Sequence, residues 1–208
     1  MQGEPSTSRN GKLHMLQNTL ALGKPQPIKS TRLRQKQGKC NDFCHVINCR
    51  HLTQSETQCF YWAIYCLSAN YVLPTTYFTK AKLHQIQARA HRAMVGRSGY
   101  CRTMARAVLF GPKRCRGAGF FHLYDDQGYG QLQMFIKLWQ SPHSQPGKLL
   151  RVVVSWAQYC VGTSSPILQD VTTKWPHFES KWLNSLRNYL RDIGGKLCLY
   201  HHGVCKLQ

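Results

Sequence analysis

Acidic residues are scarce in this chain of 208 residues: Asp and Glu number 8 against 28 Lys and Arg, a formal net charge of +20. A solvated surface normally mixes both signs, so the imbalance excludes a self-neutralised exterior and asks for a polyanionic partner. Nucleic acid is the first candidate and an anionic membrane surface the second. Long apolar runs are also missing. The most apolar stretch, Cys59 to Leu73, is interrupted by Asn70 and closed by Pro74. It is short for a membrane span and suits a buried helix, so no membrane partner is expected. The opening MQGEPSTSRNGKLHML has no apolar signal core, and the thiols are therefore expected to be reduced and the protein intracellular, with the nucleus among its compartments. No G-x-S-x-G nucleophile motif occurs, and Gly117-Ala118-Gly119-Phe120 lacks both the pattern and the preceding strand of a phosphate loop. No repeats are evident.

What is present fits a globular chain, with 42% hydrophobic and 11% aromatic residues. Ten cysteines fall below the density of a small disulfide scaffold. The charge is spread rather than confined to a tail. Residues 1–58 hold 9 basic and 3 acidic residues, 59–145 hold 11 and 2, and 146–208 hold 8 and 3. The middle third is the most one-sided.

The hydrophobic pattern predicts a mainly α protein, an irregular helical bundle with a flexible basic N-terminal segment. Residues 1–39 read as that lead, rich in Ser, Gln, Gly and Pro, with KPQPIKSTRLRQKQGK either a basic arm or a solvated tail. From Leu52 the pattern becomes helical: Thr53 or Ser55 can cap, Glu56 suits a first turn, and CFYWAIYCL reads as a buried helix. Thr79 is expected to cap the clearest amphipathic helix, which ends near Gly96. Leu83, Ile86, Ala90, Ala93 and Met94 fall on its apolar face, and Lys82, Arg89 and Arg92 fall together on the neighbouring one. Arg97, Arg102, Arg106, Lys113, Arg114 and Arg116 follow, with Tyr100 and Phe110 between them as core residues or stacking platforms. A helix from about Leu123 to Gln140 tolerates Gly128 and Gly130, which a close helix–helix contact would require. Leu149 to Val161 is apolar nearly all round; Val152, Val153 and Val154 would suit a strand, but the length favours a buried helix, and Phe178 to Ile193 reads as a last amphipathic helix stopped by Gly194 and Gly195.

Four blocks between Asn70 and Leu138 carry a family resemblance: VLPTTYFT, KLHQIQARAHRA, GYCRTMARAVLFGP and GFFHLYDDQGYGQ. This stretch resembles the segment that follows the catalytic core in reverse transcriptases (RNA-directed DNA polymerases) of non-LTR retrotransposons. The likeness covers about Leu52 to Gln140, extends more loosely to Ile193, and does not include residues 1–39. It implies a thumb-like helical region over 40–145, a C-terminal helical region over 146–208, and a task of holding template and primer. RNA or DNA would be gripped through its phosphates by Lys82, Arg89, Arg92, Arg97, Arg102, Arg106, Lys113, Arg114 and Arg116, with the catalytic part of a reverse transcriptase as a further partner.

Such polymerases use two metal ions on paired carboxylates, in an aromatic-x-Asp-Asp turn between apolar strands, with a third Asp upstream. Leu123-Tyr124-Asp125-Asp126 imitates this, but Gln-Gly follows it, and the only upstream Asp, Asp42, lies in a polar, Cys-rich stretch. The resemblance assigns Asp125 and Asp126 to the post-catalytic block, as helix N-terminal charges or partners of an Arg. No catalytic residue is therefore expected, and the chain alone should not polymerise. No cofactor is expected, and zinc is the one that the residues would allow. Cys40, Cys44, Cys49 and His51, with His45 as an alternative, have the right chemistry, as do Cys198, His201, His202 and Cys205. Reduced cysteines in a helix, and a loose tail, are the competing readings. Three functions stay open: a nucleic-acid-binding remnant of a reverse transcriptase, a zinc-stabilised interaction module, and a pseudogene product without function.

Overall fold

The computed structural model describes residues 28–175, 178, 180–199 and 205–207. It divides into two compact units, residues 1–38 and 39–208. The first contributes residues 28–38, all helical, as the start of α1 (Ile28–Cys49). The flexible lead expected over 1–39 is thus helical from Ile28 onward. Once a helix is nucleated each added residue gains a backbone hydrogen bond, so a polar Lys/Gln-rich stretch can belong to a helix without an apolar stripe of its own.

Residues 39–208 form the second unit, mainly α-helical as the periodicity predicts. Cys40, Phe43 and Ile47, spaced as one face of α1, are all buried. α2 (Gln54–Phe60) opens with a capping box: the Thr53 N–H donates to Glu56 Oε2 at 2.8 Å and the Glu56 N–H to Thr53 Oγ1 at 3.3 Å. The helix runs on through a π-helical turn, Tyr61–Cys66, into α3 (Leu67–Asn70), and a 3-10 turn at Leu73–Thr75 contains Pro74. The expectation of a buried helix is corrected here. Tyr61, Tyr65 and Cys66 point inward, while Trp62, Ile64 and Leu67 are exposed.

α4 (Lys80–Met94) buries Leu83, Ile86, Ala90 and Met94, as the periodicity predicts, together with Gln87 and His91. Thr79 holds the N-cap position, but its side chain makes no capping bond. α5 (Arg106–Phe110) and a 3-10 turn at Lys113–Cys115 follow. α6 (Leu123–Trp139) is the central helix. Its Gln127 holds the backbone of Phe78 with both amide atoms, accepting from the N–H and donating to the carbonyl at 3.1 Å each, and Gln131 donates to the Thr76 carbonyl at 2.5 Å. Gly128 meets the Tyr189 ring and Gly130 meets Pro74, contacts that leave no room for a Cβ.

α7 (Gln145–Val161) starts at Ser144, whose hydroxyl accepts from the Gly147 N–H, and ends at Gly162 in the left-handed conformation. It buries only Gly147, Leu150, Val154 and Ala157. Leu149, Val152, Trp156 and Tyr159 are 65, 64, 60 and 78% exposed and form an outward stripe. The all-round apolar run of the sequence is therefore an amphipathic placement of an apolar helix, not a fully buried one. α8 (Lys181–Asp192) packs Leu183, Leu186 and Leu190 inward, and Gly195 closes it by donating its N–H to the Leu190 carbonyl at 2.9 Å. β1 (Leu197–Leu199) and β2 (Cys205–Leu207) pair antiparallel, Leu197 opposite Leu207.

Two centres hold the unit together. One is apolar and joins Leu132, Phe135 and Trp139 of α6 to Leu150 and Val154 of α7, to Leu183, Leu186 and Leu190 of α8, and to Ile167, Leu168 and Leu197. The change of region expected near residue 145 falls inside this shared core. The other centre is aromatic. Phe43 stacks on Phe60 at 5.3 Å and meets Tyr65 at 4.8 Å, and Tyr61 contacts both Tyr65 at 5.4 Å and Phe120 at 5.3 Å. Arg187, only 4% exposed, bridges the loop before α8. Its Nε donates to the Ile167 carbonyl at 3.0 Å, and its Nη2 to those of Asp170 and Thr173 at 2.5 and 2.9 Å. The Trp175 ring covers the guanidinium at 3.6 Å. Among the described residues no helix is long and apolar enough to cross a membrane.

Candidate nucleic-acid interface

α4 buries its apolar face, with His91 edge-on to Phe120 of the aromatic centre at 5.7 Å, so its neighbouring face must look outward. Lys82, Arg89 and Arg92 are all exposed there. Arg89 Nη1 donates to Asn41 Oδ1 of α1 at 3.3 Å. Arg97, in the turn after α4, has a different occupation. Its Nη1 and Nη2 donate to the carbonyls of Arg50 and Asn48, at 3.2 and 3.3 Å, at the C-terminal end of α1. A cation there complements the helix dipole and satisfies carbonyls left without helical partners. Arg102 lies across Gly96, where a Cβ would meet its Nε at 3.0 Å.

These placements leave two neighbouring clefts. An open groove of about 510 Å³ runs between α1 and α4, lined by Asn41, Cys44, His45 and Asn48 on one side and Arg89 and Arg92 on the other, with Arg102 at its edge. A smaller cavity of about 250 Å³ lies between α4, the segment Cys101–Met104 and α5, and takes in His84, Gln87, His91, Met104, Arg106 and Phe110. Arg92 and Arg102 border both. Among the described residues neither lining contains an Asp or Glu. Burial, with the nearby His122, His84 and Arg106, pushes His91 down to about 4, so its ring is neutral at pH 7.

Past α5 the chain makes a basic loop. Ala118 donates its N–H to the Val108 carbonyl at 2.8 Å, Gly119 to Gly111 at 2.9 Å and Phe120 to Leu109 at 2.9 Å. At Gly117 the backbone passes so close to Gly111 that a Cβ would lie 2.1 Å from its carbonyl oxygen. Arg116 is left-handed, with φ of 62°, the one non-Gly residue at positive φ among the described residues. The loop turns Lys113, Arg114 and Arg116 outward, all exposed, and Lys113 reaches over the Trp62 ring at 5.7 Å.

Among the described residues the ion pairs are Lys80–Asp192 at 3.2 Å and His122–Asp125 at 2.8 Å. None of the nine cations singled out in the sequence enters either. The structure gathers Arg89, Arg92, Arg102 and Arg106 around the two clefts, sets Lys82 on the same face of α4, and places Lys113, Arg114 and Arg116 on the loop. Arg97 is exposed but tied to α1. The sequence did not single out Asn41, His84, Gln87, His91 and Met104 as lining residues. The buried, polar Gln87 and His91 on an apolar stripe are the signal that would have found two of them.

Cys40 is buried and donates its thiol to the Ile86 carbonyl at 3.3 Å. Burial, with Cys44 beside it, pushes that thiol up to about 12. Cys49 Sγ lies 3.5 Å from His45 Nδ1, and His51 is exposed beyond the helix end. Among the described residues no group of three or more His, Cys, Asp or Glu side chains is arranged to hold a metal ion; Cys40, Cys44, Cys49 and His51, the set that zinc would need, form no such group. Of the C-terminal set, Cys198 is on β1 and Cys205 on β2; His201 and His202 lie outside the described residues. Asp125 and Asp126 occupy the first turn of α6. Asp125 pairs with His122, and among the described residues no Arg pairs with either. Burial, followed by the charge of Asp125, raises Asp126 to about 6. No protein-family model, no curated protein and no solved structure matches the chain.

Proposed function

We propose that this protein binds RNA or DNA through its phosphates and has no polymerase activity of its own, in the manner of the template-holding region that its central blocks resemble. The observation that carries the reading is the position of Arg92 and Arg102, exposed, without a carboxylate partner among the described residues, and bordering two adjacent clefts with no acidic lining. Cations so placed gain most from displacing counterions along a polyanion. They fix position on a backbone without reading sequence. The outward apolar stripe of α7 fits the same reading, since a thumb-like element packs against a catalytic part, and a face of that size is not normally left bare.

The test is binding of a fluorescent structured RNA and of a DNA duplex to the purified protein at low and moderate salt. Affinity should fall steeply, with a log–log slope of about −4 if roughly five phosphates are neutralised. Weak, salt-insensitive binding by a folded protein overturns the reading. Stoichiometric zinc in that same sample would move the assignment to a zinc-stabilised interaction module, and an aggregated sample would identify a fragment without function.

A further inference from the structure

The smaller cavity has features that a phosphate clamp does not need. Phosphates are met at exposed surfaces, yet this space is recessed and about 250 Å³ in volume, the scale of a single nucleobase with part of its sugar. Part of its wall is apolar and aromatic, made by Met104, Leu109 and Phe110 together with Val95, while His84, Gln87 and His91 line the rest. Phe110 is only half-buried. Its ring is fixed by His91 at 5.2 Å and, edge-on, by His122 at 4.9 Å. A ring held in place from two sides loses little freedom when a flat partner arrives. Three exposed guanidiniums, Arg92, Arg102 and Arg106, stand around the same opening.

We propose that this cavity receives one unpaired nucleobase, laid against Phe110, while Arg92, Arg102 and Arg106 hold the phosphates on either side of it. The ligand class is then single-stranded or looped nucleic acid, because a base inside a duplex is stacked and cannot enter without being extruded. This inference rests on the phosphate-binding reading above and deepens it.

The experiment compares three fluorescent probes of equal length on the intact protein: a single-stranded oligothymidylate, the same strand made abasic, and a DNA duplex. The strand with bases should bind about tenfold tighter than the abasic strand, the worth of one base–aromatic contact. It should also bind tighter than the duplex despite the duplex's higher charge density. Phe110→Leu keeps an apolar filler but removes the ring, and should erase the advantage of the bases while leaving salt dependence unchanged. Should that variant not fold, Met104→Trp, which fills the cavity beside Phe110, makes the same comparison. Equal, salt-sensitive binding of all three probes overturns the base pocket and leaves the phosphate reading standing. An absence of binding to any of them overturns both.

Discussion

Gly128 of α6 lies directly under the ring of Tyr189 in α8, so close that a Cβ at position 128 would sit 2.1 Å from the ring Cγ. Tyr189 also meets Tyr124, one turn earlier on α6, edge-on at 6.0 Å. Exchange of Gly128 for Ala adds helix propensity but must push the two helices apart. Gly128→Ala should lower stability by about 2 kcal/mol in denaturant melts. Gly128→Ala with Tyr189→Leu should lose less than the two single losses together, because the neighbours share one contact. Additive losses would show that the contact does not set the helix spacing.

Charge reversal of Arg102, Arg106 and Arg114 together should weaken nucleic-acid binding and flatten its salt dependence by about three units of log–log slope. Arg97→Ala is the internal contrast. Its guanidinium serves the carbonyls of Asn48 and Arg50, so the variant should lose about 1 kcal/mol of stability and keep the slope within about one unit. A slope unchanged in the triple variant would remove these residues from the interface.

Two groups give the stability curve opposite tilts in acid. His91 is held down to about 4 by burial, so below its ordinary value of 6.5 the unfolded chain takes up a proton that the fold refuses. Stability from this group is complete above pH 6.5 and is lost as the pH falls towards 4. Asp126 is raised to about 6 from 3.8, so the fold holds its proton where the unfolded chain does not. Its contribution grows as the pH falls from 6 towards 4 and is lost at neutral pH. His91→Gln should therefore flatten the acid limb. Asp126→Asn should stabilise the protein by about 1–2 kcal/mol at pH 7 and steepen that limb. Melts at pH 4, 5, 6 and 7 check both, and parallel curves for the three proteins would refute them.

Arg187 is nearly buried and supplies donors to three backbone carbonyls. Arg187→Met matches its length but leaves those carbonyls without donors, and should cost about 3 kcal/mol. Arg187→Lys should recover only part of this, since an ammonium lacks the planar fork and the flat face that Trp175 covers. A lysine variant as stable as the parent would mean that charge alone matters here.

The sequence made α4 and α8 legible because their apolar residues recur at a helical period, and the capping box at Thr53 and Glu56 has a local signature. Gly128 and Gly130 announced a close contact, though not its partner, since Tyr189 and Pro74 lie far away along the chain. The helical residues 28–39 were missed because nothing in KSTRLRQKQGK marks an inner face. The outward side of α7 was missed for the opposite reason. Leu149, Val152, Trp156 and Tyr159 are as apolar as Leu150 and Val154, so periodicity could not tell which side faces the core. In the candidate site the cations could be counted from the sequence. That Arg92 and Arg102 border two clefts, whereas Arg97 caps α1, depends on contacts between distant segments.

Arg97, Arg151 and Arg187 have a common habit. With so few carboxylates at hand, each turns to neutral groups: Arg97 to the end of α1, Arg151 to the Trp139 carbonyl at 2.9 Å and its ring at 4.4 Å, and Arg187 to its loop and Trp175. Mobile ions weaken attraction between full charges far more than they weaken bonds to sheltered dipoles and ring faces. Brine strong enough to strip the protein from a polyanionic resin should therefore release it with its architecture intact, ready to be loaded again after dilution.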